Sequence, residues 1–117
     1  MPYPQGAAEE YTAAKDAARD TWLNAKAARH AVYFEEVDLQ RVNYAQTLNE
    51  LRSEYKVAKR IDKETYMAGK RTAAGIFVAA KKQLKDTYKA EVKECSLAYA
   101  VAKNAARAAY KAQFFRA

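Results

Sequence analysis

The sequence predicts an all-α chain built around one long, continuous or nearly continuous helix. Three observations predict it. First, an aromatic residue stands at every eleventh position without a miss: Tyr11, Trp22, Tyr33, Tyr44, Tyr55, Tyr66, Phe77, Tyr88, Tyr99 and Tyr110. With 12% aromatic residues, such a run in any of its possible phases has a chance on the order of one in a hundred million. Second, only three Gly and two Pro are present, and both prolines precede the first ring. Third, the phase never slips, as a connection of arbitrary length would make it. Eleven residues are three turns at about 3.67 residues per turn, a right-handed drift. The helix is therefore expected to pack in a right-handed or straight coiled-coil or tubular assembly. The alternative is a three-helix bundle or helical hairpin whose connections preserve the phase.

Taken in order, residues 1–6 (Met1-Pro2-Tyr3-Pro4-Gln5-Gly6) read as an extended lead-in. Residues 7–117 read as a single helical repeat region. Glu9 and Glu10 near its start and Lys111 and Arg116 near its end suit the helix macrodipole. Two places inside it could break the helix. Thr47-Leu48-Asn49-Glu50 matches a capping box, and Gly69 and Gly75 mark a second possible turn.

With the ring as column 1 of each repeat, the sequence can be read downward. Column 4 is mostly small (Ala14, Ala25, Ala58, Gly69, Ala80 and Ala102, with Glu36, Thr47, Glu91 and Gln113). Column 8 is mostly small or aliphatic, as in Ala18, Leu51, Ala73, Leu84, Cys95 and Ala106. Columns 1, 4 and 8 fall within about 65° of one another and form a seam. The ten rings would fill hollows that Ala and Gly leave on a facing helix. A lone helix with exposed rings is unstable, so the seam is expected to meet a copy of the chain, a partner helix or a membrane surface.

Column 3 supplies a second apolar face roughly opposite, with Ala13, Val57, Ala68, Ala79, Ala90, Val101 and Ala112. Columns 5 and 9 form a basic stripe beside the rings. Column 5 carries Lys15, Lys26, Lys59, Lys70, Lys81 and Lys103, and column 9 carries Arg19, Arg41, Arg52, Lys63, Lys85 and Arg107, with His30 among them. This stripe is expected to face a polyanion.

The net charge of +7 and a pI near 9.5 suit nucleic acid, anionic lipid or an acidic protein surface. Cys95 is alone, which excludes an intramolecular disulfide and fits a cytosolic or virion-interior origin. No apolar run approaches the roughly 20 residues of a membrane span, and no secretory signal is visible. A virion or cytoplasmic location is expected. No Gly-rich phosphate loop, Cys/His metal spacing or Ser/His/Asp set can be assembled. Adjacent carboxylates such as Glu35 and Glu36 point about 100° apart on a helix. The chain is not expected to be an enzyme, nor to hold a cofactor, metal or small-molecule substrate.

Aromatics every eleven residues along an Ala- and Lys-rich helix resemble the repeats of phage tail tape-measure proteins. They also resemble, more loosely, virion proteins that are ejected with DNA and build helical tubes. The resemblance is architectural and covers nearly the whole chain. It implies a short structural or ejection protein of a virion or injection device. The expected function is thus a non-enzymatic structural protein that assembles with copies of itself or with partner helices. One alternative is a small basic helical protein that binds nucleic acid or a host factor. Another is an amphipathic lipid-surface helix, since such repeats are also similar to those of exchangeable lipid-binding proteins.

Overall fold

The computed structural model describes residues 6–116, excepting the side chains of residues 115 and 116. All regular structure among them is helical. Helix α1 spans Ala7–Arg52, a π-helical turn spans Ser53–Val57, and helix α2 spans Lys63–Arg116. The chain is all-α, and among the described residues its helix breaks once, so it is not the uninterrupted helix. Lead-in residues 1–5 lie outside the described part; Gly6 has φ +83° and its carbonyl accepts the Glu10 N–H at 2.9 Å.

Neither expected break is used. The Thr47 hydroxyl donates to the Asn43 carbonyl at 3.0 Å, a bond back into its own helix rather than a cap. Gly69 and Gly75 lie inside α2. The reversal falls at residues 58–62, where neither Gly nor Pro stands. It is built from the backbone. Ala58 N–H reaches the Ser53 carbonyl at 2.9 Å and Arg60 N–H reaches that of Glu54 at 2.8 Å. Lys59 turns the chain at φ 52°, a left-handed conformation that costs an L residue about 1 kcal/mol or more.

Asp62 then caps α2. Its Oδ1 accepts the Thr65 N–H at 2.7 Å and its carbonyl accepts the Tyr66 N–H at 3.0 Å. Bonds from the Thr65 N–H and then from the Thr65 hydroxyl hold the Asp62 carboxyl below its usual range. A depressed folded-state value means the cap's contribution is present above the unfolded-state pKa and is lost as pH falls through the folded one. Acidification well below about pH 4 is expected to free the first turn of α2, read as a chemical-shift change at the Thr65 amide. A Thr65 signal that stays constant to the lowest pH at which the protein is folded would contradict this.

The chain divides into two compact units, Met1–His30 with Lys89–Ala117, and Ala31–Tyr88. The first sets the N-terminal part of α1 antiparallel to the C-terminal part of α2. The second is a helical hairpin around the turn. On the first arm of that hairpin the half-buried residues are Tyr33, Val37, Gln40, Tyr44, Leu48 and Leu51 of α1, then Glu54 and Tyr55 of the π-helical turn. Apart from Glu54 these are columns 1, 5 and 8, whereas Glu36 and Thr47 of column 4 are exposed. Columns 5 and 8 flank the ring by about 33° on either side, while column 4 lies about 65° away. Within this hairpin column 4 joins the contact only on α2, at Gly69 and Ala80.

Gly69 shows why a small residue is needed beside the turn. A Cβ there would stand 2.9 Å from Leu51 Cδ2, whereas one on Gly75 would meet nothing within 4 Å. Gly75→Ala is therefore expected to stabilise the protein by about 0.5–1 kcal/mol through helix propensity. Gly69→Ala should gain less, because Leu51 must shift. Denaturant melts of the two variants check the order.

Candidate functional site

The ten rings of the series come together in five stacked pairs. In the first unit Tyr11 stacks on Tyr110 at 4.7 Å and Trp22 on Tyr99 at 4.8 Å. In the second Tyr33 stacks on Tyr88 at 4.8 Å, Tyr44 on Phe77 at 4.9 Å and Tyr55 on Tyr66 at 4.6 Å. Ring planes within a pair differ by only 14° to 22°.

Tyr11, Trp22, Tyr33, Tyr44, Tyr55, Tyr66, Phe77, Tyr88, Tyr99 and Tyr110, expected as an assembly seam, meet one another within the chain and stay half-buried. They also meet ring on ring rather than ring in alanine hollow. The reason is geometric. Two antiparallel arms with the same eleven-residue step stay in phase, so aligning one pair in a unit aligns the next.

The lysines of column 5 belong to this ladder. Lys15, Lys26, Lys70, Lys81 and Lys103 each place Nζ over the ring four residues earlier, at 4.6, 4.3, 5.2, 5.2 and 4.6 Å from its centre. Such contacts contribute about 0.5–1 kcal/mol at exposed sites. Lys59, the sixth of the column, is in the turn. Around the Tyr33–Tyr88 pair the same positions hold Val37 and Val92, both half-buried. Non-repeating contacts add to the first unit: Trp22 Nε1 donates to Ser96 Oγ at 3.3 Å, Gln113 donates to Glu10 at 3.2 Å, and Arg29 lies 3.8 Å from Glu91. Phe114, outside the series, meets Tyr110 edge-on at 4.8 Å.

Each unit has a groove on one flank of its ladder. In the first, a volume of about 620 Å³ is lined by alanines such as Ala14, Ala17, Ala18, Ala98 and Ala102, beside Cys95. In the second, a smaller one of about 80 Å³ is lined by Gln40, Asn43, Thr47, Ala73 and Ile76. Apart from the rings themselves, these linings come from columns 4, 7, 8 and 11 of both arms. Those columns therefore share one face of a unit, and columns 2, 5, 6 and 9 share the other.

The basic residues follow that division. Nineteen of the twenty-one Lys and Arg stand in columns 2, 5, 6 and 9, against two of the fourteen acids, Asp16 and Asp38. Both acids are matched by an Arg three residues on, Arg19 at 3.8 Å and Arg41 at 3.0 Å. The stripe of columns 5 and 9 is thus the inner part of a wider basic face. Its outer part includes Lys56, Arg71, Lys82, Lys89, Lys93 and Lys111 of columns 2 and 6. On a single helix columns 2 and 6 stand about 98° and 131° from the ring, on the side of columns 5 and 9; pairing two antiparallel arms brings that side of both helices onto one face. A count of charge by half-helix would have shown them.

Among the described residues no group of three or more His, Cys, Asp or Glu could hold a metal ion. No helix among them is long and apolar enough to cross a membrane. No protein family, curated protein or solved structure matches the chain.

Proposed function

We propose that the protein is a non-enzymatic structural component whose paired helices pack side by side along copies of themselves or along partner helices. The result would be a bundle, tube or filament with an eleven-residue coiled-coil repeat, as in a virion or injection-type assembly. One observation carries this reading. The chain is half apolar, yet among the described residues only Ala7 and Ala73 are buried. Eleven large apolar side chains stay exposed, from Met67 at 40% to Val57 at 79%. The rings already stack on one another, so these eleven side chains are lateral surface still to be covered. Burying it would contribute roughly 25 cal/mol per Å² before the costs of association.

Sedimentation velocity at micromolar concentration tests the reading. Oligomers that grow with concentration are expected, and a compact monomer throughout the range would sink it.

The segregation of charge favours a second reading, non-specific contact of the basic face with nucleic acid. Phosphates would be held by Lys and Arg without reading sequence. Affinity for duplex DNA should then fall steeply with added salt. Binding that ignores salt would count against it.

A further inference from the structure

Within Ala31–Tyr88 the two lateral faces are opposite in charge, and each has an apolar centre. On the face formed by columns 2, 5, 6 and 9, the helices carry nine basic residues, among them Arg41, Arg52, Lys70 and Lys85. The one acid in those columns, Asp38, already lies 3.0 Å from Arg41, and Glu64 and Asp86 of column 10 stand at the outer edge of this face. On the other face stand Glu36, Glu50 and Glu54, with Glu35 at its outer edge and no basic residue of the helices. Glu54 also meets Arg60 of the turn at 3.7 Å.

The apolar centres arise from a local pattern. Val32-Tyr33-Phe34 and Ile76-Phe77-Val78 each bracket a ladder ring with bulky neighbours, which point about 100° to either side of it. Phe34 and Val78, with Met67, stand on the basic face, exposed by 58%, 65% and 40%. Val32 and Ile76, with Leu39, stand on the acidic face, exposed by 48%, 63% and 56%.

We propose that the basic face of this unit docks on the acidic face of a second copy of the chain. The proposal rests on the side-by-side packing reading above and names the surfaces that make it. Each apolar centre meets the other, and the unlike charges around them fix the register, as charge complementarity does in other interfaces. A phosphate backbone would satisfy the bases but leave Phe34, Met67 and Val78 in water. A copy of the same chain covers both. Contact of either face with itself would bring like charges together. Because the two patches differ, the interface is head-to-tail. Copies therefore add in one direction, giving a row that stays open or a ring if the rotation closes.

Two full-length variants test this. Val78→Glu with Lys85→Glu blocks the basic face, and Ile76→Lys with Glu36→Lys blocks the acidic face. By sedimentation velocity the unmodified chain should form oligomers, and each variant alone should be monomeric. Their equimolar mixture should give a heterodimer and nothing larger, since each supplies the one intact face the other lacks.

If either variant alone still assembles like the unmodified chain, or the mixture fails to pair, head-to-tail docking is wrong while side-by-side packing stands. If the unmodified chain is itself a monomer, the packing reading fails and the docking proposal with it. If the unmodified chain assembles only on added duplex DNA, with particle mass following DNA length, the occupant is a polyanion and the proposal is overturned. Thermal melts by circular dichroism confirm that the variants fold. Should a double variant be unfolded, the exposed single reversals Lys82→Glu and Glu50→Lys replace it with the same expected pattern.

Discussion

Inserting one alanine after Thr47 is expected to break the ladder of Ala31–Tyr88, whereas the same alanine after Arg60 should leave it nearly intact. Within α1 the extra residue rotates everything before it by about 100° relative to Tyr55. Tyr44 then leaves Phe77, and Tyr33 leaves Tyr88, while Tyr55 stays on Tyr66. Each lost stack removes about 0.5–1.5 kcal/mol beyond the apolar area it buried, so the total should be several kcal/mol. At the turn the added residue changes only the closure entropy, by a few tenths of a kcal/mol. Denaturant melts followed by near-ultraviolet circular dichroism of the tyrosines separate the two. Equal losses at both sites are what an unbroken helix demands, and would refute the hairpin.

Truncating one ring of the central pair has the next largest effect. Phe77→Ala or Tyr44→Ala is expected to cost about 2–4 kcal/mol, toward the low end of large-to-small substitutions because both rings are only half-buried. Making both changes should cost less than the sum by about 1 kcal/mol, the coupling of residues in contact. Tyr44→Ala combined with Tyr88→Ala should instead be additive within about 0.5 kcal/mol, since those rings belong to different pairs. Equal coupling in both combinations would mean that the rings act through general helix stability rather than through stacking.

The all-α character and the ring seam were legible because both depend on periodicity. The turn was not. It lies among the ten residues between Tyr55 and Tyr66, which complete one whole repeat, so the aromatic count runs through it undisturbed. An unbroken phase therefore cannot separate a continuous helix from a hairpin. The usual punctuation was also misplaced: Gly69 and Gly75 sit inside α2, while Lys59 takes the positive φ that glycine usually takes. Only Asp62, an ordinary N-cap residue, marked the true boundary. The basic stripe was legible in part. Its link to the rings was not, because the four-residue step from ring to lysine reads as flank until column 5 is seen to adjoin the seam.

Periodicity also leaves a degeneracy that the stacked pairs cannot resolve themselves. Slide one arm of Ala31–Tyr88 by a full repeat and Tyr44 meets Tyr66 while Tyr33 meets Phe77. Two of the three stacks survive, and the longer connection adds only about 0.6 kcal/mol of closure entropy. The ladder thus measures spacing but carries no address. The address is written where the repeat is broken: Gly69 closing against Leu51, and Asp62 fixing where α2 begins. A few unrepeated residues around one turn decide which of several equally spaced pairings is the native one.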